Sequence, residues 1–475
     1  MATASRSQRN ILPLVLMFSC VPAMAQLSAE TTQQVDSIAG KVLADTGEAS
    51  LSIAIVRDGK LAYAQAYGAA RLEPRMAATP QMRYKIGSNS KQFLAVAALQ
   101  LAEEGKLSLD DRVARYFPQL TQARDITLRQ LLSHTAGYSD YYAIDYISPA
   151  LAQPTTPAAI LAEWGRKPLD FAPGQRWEYS NTNYVIAGRM LEKASGQPLE
   201  ALIRSRITDR LGMHSAIDLT SSNWSASDAT GYERHALGPL RAARAEGRNW
   251  IWAAGQLAMT ASDLARWDIA LIDGSLLKPA SRAALVSEAR LNNGRGTGYA
   301  LGLMVDRTED GHERWHHSGG VTGFISRNVI YPADGMALVV LSNGPGPAAS
   351  AATVQLEKLL LSLPNSESGP AAPDARADAS LAVVRKVFAA LQAGQPERSL
   401  MTGDLRAYFS ETVVADYAAS LAPLGEISDI RQSSTELRGG MVYRGYRVAI
   451  AGRKLSISTY FTADGLLDQF LIYAR

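Results

Sequence analysis

The sequence predicts an α+β chain: an antiparallel sheet flanked by helices, with a helical region between the two halves of that sheet, then a small C-terminal α+β meander domain. Three observations carry this. Strand-like runs cluster at the start and the end of the first 363 residues, with helix and loop between them. A Pro/Ser/Ala-rich stretch then interrupts the apolar pattern at 364–376, as a linker does. Beyond it, two helical pieces precede four short strand candidates punctuated by glycine turns.

Element by element, residues 1–25 have the layout of a secretory signal peptide. Arg6 and Arg9 are followed by an apolar run from Ile11 to Cys20, and Ala23-Met24-Ala25 forms a small-x-small cleavage site. Cleavage near Ala25 would place the mature chain in the periplasm or outside the cell, and would remove Cys20, the only cysteine. No disulfide, thiolate metal site or cysteine nucleophile would remain. Residues 26–363 open with a helix from Ala29 to Leu43. A hairpin follows, Leu51 to Val56 and Leu61 to Tyr67, turning at Asp58-Gly59. Strands are expected at Tyr299–Val305, Phe324–Tyr331 and Met336–Leu341, and a helix from Ala351 to Leu361 closes the block. In 377–475, helices are expected at Ala379–Leu391 and Thr412–Leu421. Turns are expected at Gly439-Gly440, Ala451-Gly452 and Asp464-Gly465.

Composition excludes several function classes. Hydrophobic residues at 47% against 20% charged give ample core for a folded chain. A net charge of +3, with no block of like charge, supplies no phosphate-tracking stripe, so no nucleic-acid partner is expected. No apolar segment is long enough for a membrane span. No G-x-S-x-G elbow occurs, against an α/β-hydrolase fold.

Four motifs bear on chemistry. Ser88-Asn89-Ser90-Lys91 is S-x-x-K, which at helical spacing puts amine and hydroxyl on one face. A serine hydroxyl needs a base, and a lysine whose pKa is lowered by burial and neighbouring cations can serve. Ser275-Leu276-Leu277-Lys278 repeats the pattern, but Pro279 disfavours helix there, so Ser275 reads as a loop residue. Tyr179-Ser180-Asn181 follows a Pro173-Gly174 turn and offers a proton-relaying hydroxyl and a two-way amide. His317-Ser318-Gly319-Gly320 offers a glycine edge with open backbone N–H groups, as an oxyanion hole requires. His312-Glu313-Arg314-Trp315-His316 is a formal H-E-x-x-H zinc motif, but Asp310-Gly311 and the following glycines argue for a strand. Residues four apart on a strand lie ~13 Å apart, too far to share a metal. No metal and no cofactor is expected.

The order S-x-x-K, Y-S-N, H-S-G resembles the class C β-lactamase-like serine hydrolases: penicillin-binding DD-peptidases, D-aminopeptidases and carboxylesterases. The likeness covers roughly residues 30–362. Leu131 to Gly137 and Ala254 to Thr260 support it, although Gln256 stands where a second glycine is usual. The resemblance implies a β-lactamase/transpeptidase-like domain in which Ser88 is acylated. Lys91 would take its proton, with Tyr179 as competing base and acid for the leaving group. The N–H groups of Ser88 and Gly320 would form the oxyanion hole, with Gly319 beside them. Asn181 would hold the acyl side chain. His317 stands where lactamases of this class carry lysine, as in certain DD-peptidases and D-aminopeptidases.

The implied substrate is a small peptide, ester or lactam, with a D-amino-acid-related peptide favoured. A penicillin-binding-like protein that has lost turnover is the reading from another class. His134 reads as structural. Tyr138, Tyr141, Tyr142 and Tyr146 suggest an aromatic lip. Arg241, Arg244 and Arg248 suggest either a carboxylate contact or a solvated helix face. The C-terminal block resembles small NTF2-like or cystatin-like accessory modules. It holds no histidine and no catalytic cluster. It could cover the site, bind cell-wall material or mediate oligomerisation.

Overall fold

A computed structural model describes residues 26–222, 224–361 and 377–475. The expected signal segment 1–25 and the expected linker 364–376 lie outside the described residues.

The chain starts with helix α1, Ala29–Thr46. Ser28 caps it by accepting a hydrogen bond from the Thr31 N–H, and Gly47 ends it at φ 63°. Val35, Ala39 and Val42 recur at helical spacing and are buried. Strands β1 (Ser50–Arg57) and β2 (Lys60–Arg71) form the expected hairpin, and β3 (Met76–Ala77) edges it. The other half of the sheet comes from β4 (Met304–Arg307), β5 (Glu313–Val321), β6 (Phe324–Tyr331) and β7 (Met336–Ser342). The strand order is β3-β2-β1-β7-β6-β5-β4, wholly antiparallel. The halves join where β1 pairs with β7, Ile53 opposite Val340.

Both faces of β1 are buried. Leu51, Ile53 and Ile55 pack with α1 and with Ala349, Ala352 and Leu356 of the closing helix Ala348–Leu361. Ala54 and Val56 face the opposite way, into the larger core of the helical region. A buried Glu48 carboxylate ties the ends together by accepting from Ser342 Oγ and the Ala348 N–H.

The helical region contributes α2 (Ser90–Glu103), α3 (Asn181–Ser195) and α4 (Ala261–Asp273). Helix α2 is buried from Ser90 to Leu101, so apolar residues surround it on all sides. Its stacked Phe93–Trp267 pair joins it to α4 at 4.0 Å between ring centroids.

The expected strand at Tyr299–Val305 is a correction. Only Met304 onward is strand, because Gly298 and Gly302 adopt φ 69° and 81° and turn the chain. A Cβ on Gly302 would lie 2.8 Å from the Lys91 carbonyl oxygen, so this turn closes over the start of α2.

The C-terminal domain carries helices α5 (Ala377–Gln392) and α6 (Glu411–Leu421), then β8 (Asp429–Arg438), β9 (Met441–Ile450), β10 (Arg453–Phe461) and β11 (Leu467–Ala474) as an antiparallel meander. Its core gathers Val384, Val387, Leu391, Phe409, Tyr417, Ile457 and Phe470, and takes in Ile144, Tyr146 and Leu151 of the first domain. None of the described helices is long and apolar enough to cross a membrane.

Candidate active site

The site forms where α2, α3 and β5 converge. Gly87–Asn89 make one 3₁₀ turn that runs directly into α2, so Ser88 and Lys91 lie one turn apart. Gly87 has φ 53°, and a Cβ there would sit 3.0 Å from the Gly320 nitrogen. A Cβ on Gly319 would sit 1.9 Å from the Ile86 carbonyl oxygen. Glycine at both positions lets the β5 edge lie against the serine turn, bringing the Ser88 and Gly320 backbones to one wall.

Lys91 is wholly buried. Its Nζ donates to Ser88 Oγ at 3.0 Å, Asn181 Oδ1 at 2.8 Å and the Ala254 carbonyl at 2.7 Å. Burial pushes its pKa well below the ordinary lysine value; Asp140 opposes that and Arg438 reinforces it. Tyr179 Oη donates to the same Ser88 Oγ at 2.8 Å. Burial raises the Tyr179 pKa, while Ser88 and Arg438 pull it back. The hydroxyl of Ser88 is thus held between a lysine amine and a phenol.

His134 packs against the Tyr179 ring, 4.2 Å between centroids, and its Nδ1 accepts from the Ser180 N–H at 3.1 Å. It supports Tyr179 from behind. His317 has a pKa pushed down to about 3, first by burial and then by Lys91. Its Nδ1 lies 2.5 Å from the Ser318 carbonyl and its Nε2 lies 3.0 Å from Tyr299 Oη. A carbonyl only accepts, so Nδ1 carries the proton and Nε2 accepts from Tyr299. The ring is neutral at pH 7, with both nitrogens occupied.

A cavity of about 410 Å³ opens onto these groups. Ser88, Tyr179, Asn181, His317, Gly319 and Gly320 all line it, as do Tyr141, Tyr142, Trp177 and Trp250. The structure therefore brings together every expected site residue. Of the expected aromatic lip, Tyr141 and Tyr142 belong to the cavity. Tyr138 is core, donating to the Thr121 carbonyl, and Tyr146 joins the C-terminal core. Gln256 is buried behind the cavity, while Ala254 and Gly255 line it.

Neither a carboxylate contact in the cavity nor a solvated helix face describes Arg241, Arg244 and Arg248, and both readings are corrected. None of the three lines the cavity. Arg241 does meet a carboxylate, but it is Asp416 of the C-terminal domain, at 2.7 and 2.8 Å. Arg248 donates to the Thr220 carbonyl. No helix is involved: Leu240–Ala242 is a short strand. Ser275 sits in the turn after α4, its N–H on Asp273. The formal zinc motif runs into strand β5, and its histidines pair with different acids, His312 with Asp334 and His316 with Asp306.

Three contributors escaped the sequence reading. Asp140, a buried carboxylate, accepts from the Asn181 N–H at 2.9 Å and from its Nδ2 at 3.1 Å. Arg438 and Glu436, from the β8 end, line the cavity too, so the C-terminal domain forms part of its wall. Of the roles left open for this domain, covering the site is the one this wall supports. Spacing along the chain gives no signal for any of the three. The only local cues are an acid inside the tyrosine cluster and an arginine before a double-glycine turn.

An antiparallel sheet between helices, with serine, lysine and tyrosine meeting beside one of its strands, defines the β-lactamase/transpeptidase-like class. The Beta-lactamase family model matches residues 35–361, and the chain belongs to that family. Protein flp of Staphylococcus aureus (strain MRSA252) is 28% identical over 331 residues, covering 67% of this chain. The matched region spans 64% of that relative's own length. The D-stereospecific amidohydrolase from Streptomyces sp. is 27% identical, with a TM-score of 0.60, covering 70% of this chain and 99% of that one. The octameric penicillin-binding protein homologue from Pyrococcus abyssi is 21% identical, with a TM-score of 0.59, covering 93% of this chain and 99% of that one. That last likeness in fold extends into the C-terminal domain.

Proposed function

We propose that this protein is an exported serine hydrolase that works through an acyl-enzyme on Ser88, cleaving amide bonds beside D-amino acids. The observation that carries the reading is the double hold on Ser88 Oγ, by Lys91 Nζ at 3.0 Å and Tyr179 Oη at 2.8 Å. Burial lowers the pKa of this amine, so it gives up its own proton more readily and can serve as the base that takes the serine proton. Ser88 Oγ then attacks the substrate carbonyl. The oxyanion meets the N–H groups of Ser88 and Gly320. Tyr179 passes a proton to the leaving amine, and water releases the acyl group by the reverse relay. Neutral His317 offers no charge to a substrate carboxylate, which supports a peptidase or amidase over a dedicated β-lactamase. The likeness to a D-stereospecific amidohydrolase supports D-amino-acid amides as the first substrates to try.

The test is intact-mass spectrometry of the mature chain mixed with a penicillin, beside turnover of D-amino-acid amides and p-nitrophenyl esters. An adduct on the wild type but not on Ser88→Ala is expected, together with amide turnover that Ser88→Ala abolishes. Ester turnover alone would make it a carboxylesterase. A stable adduct without any turnover would make it a penicillin-binding protein only. Wild-type rates in Ser88→Ala would refute the mechanism.

A further inference from the structure

The β8–β9 hairpin reaches from the C-terminal domain into the catalytic cleft. Its turn, Gly439-Gly440, takes φ of 61° and 73°. A Cβ on Gly439 would lie 2.9 Å from the Asp140 carbonyl oxygen and 3.3 Å from Ala143, so the turn is seated against the Asp140 loop. From there Arg438 donates through Nε to Asp140 Oδ2 and through Nη2 to the Tyr142 carbonyl, each at 2.7 Å.

Asp140 has no exposed side-chain surface. Its other oxygen accepts from Asn181, Asn181 Oδ1 accepts from Lys91 Nζ, and Lys91 Nζ donates to Ser88 Oγ. A chain of hydrogen bonds therefore runs from the second domain to the serine. Arg438 also stands 5.1 Å from the Tyr179 ring centroid.

We propose that Arg438 is a positioning residue for acylation of Ser88: its fork fixes Asp140, Asp140 fixes Asn181, and Asn181 fixes the Lys91 amine on the serine. The C-terminal domain is then a working part of the active site. This rests on the acyl-transfer reading above. A carboxylate buried beside Lys91 must be paired, because an unpaired one would hold a proton on the amine and drag the Asn181 amide with it. The groups facing Lys91 are Asp140 and Arg438, the rings of Tyr179 and Tyr184, and the histidines His134 and His317. Of these, Asp140 and Arg438 are the pair of opposite formal charge, and they set the balance.

The experiment follows Ser88 acylation in the full-length protein, with benzylpenicillin and p-nitrophenyl acetate as probes, across pH. Arg438→Gln should slow acylation at neutral pH by about 10- to 100-fold, the scale of a misplaced catalytic group, with a much smaller change in KM. Its acid limb should move to higher pH, because the unpaired carboxylate keeps Lys91 protonated. Asp140→Asn should move that limb the opposite way. Arg438→Lys should keep the limb in place and recover part of the rate. A folded Arg438→Gln with wild-type rate and wild-type limb would overturn the proposal.

Should Arg438→Gln not fold, the uncharged pair Asp140→Asn/Arg438→Gln takes its place. An identical acid limb in that pair and in Asp140→Asn alone would overturn the proposal equally. Ser88→Ala separates the two readings. A wild type that is not labelled, or a Ser88→Ala variant labelled as fast as wild type, refutes acyl transfer itself and this inference with it. Labelling confined to Ser88 with Arg438 inert refutes this inference alone.

Discussion

A lysine with no exposed surface and an amine on a serine hydroxyl is the residue on which the chemistry turns. Removing it as Lys91→Ala should lower acylation by at least about 10²–10⁴, the usual worth of a positioned base. Lys91→Arg should not restore it, because a guanidinium stays protonated. Stopped-flow rates with an activated ester measure both. His317 allows a second prediction at this scale. Its pKa lies near 3 in the fold, below the ordinary histidine value of 6.5. The native state therefore binds fewer protons than the unfolded chain between those values. The stability it contributes is full above 6.5 and is lost as pH falls toward 3. Melting temperature against pH should show a shallower acid slope in His317→Gln than in wild type. Ser88, Lys91, Tyr179 and His317 were legible because their motifs are local. Asp140 and Arg438 were not, because their contact joins positions 298 residues apart and spacing carries no trace of it.

At the scale of elements, the seat of β5 against the serine turn depends on two adjacent glycines that differ in role. A methyl on Gly319 would fall on the Ile86 carbonyl oxygen at 1.9 Å, a backbone atom that cannot swing away. A methyl on Gly320 would meet nothing closer than Ile325 Cδ1 at 3.6 Å. Gly319→Ala should therefore destabilise by at least about 1–3 kcal/mol, the range for overpacking. It should also slow acylation by parting the Ser88 turn from the strand. Gly320→Ala should fold with a near-wild-type melting temperature. Chemical denaturation of the two variants tests the contrast. The sequence predicted this edge through the open N–H groups of its glycines, and predicted a sheet built from both ends of the first domain through the strand-like runs clustered there. It misread Tyr299–Leu303 because an apolar run with one glycine looks like a strand. The left-handed turn at Gly302 closes over the Lys91 backbone, a tertiary demand that periodicity does not encode.

At the scale of the whole molecule, the two domains are fastened at points far apart in sequence. Asp416 of α6 is forked by Arg241 and bonded by His235 Nδ1 at 2.9 Å. Asp145 and Gln469 exchange hydrogen bonds, and Tyr146 Oη donates to the Asp468 carbonyl. The Arg438–Asp140 pair lies at the catalytic end of the same interface. If the hairpin works only while the domain is docked, then loosening a contact outside the cleft must cost catalysis through Arg438. Asp416→Ala should lower the Ser88 acylation rate although Asp416 does not line the cavity. The decisive quantity is the coupling. In an Arg438→Gln background the same Asp416→Ala change should cost much less, because the link it weakens is already broken. A double-mutant cycle on acylation rate measures this. A strongly sub-multiplicative result would identify the domain interface as the route to the serine. Independent effects would mean that the Asp416 clamp serves stability alone.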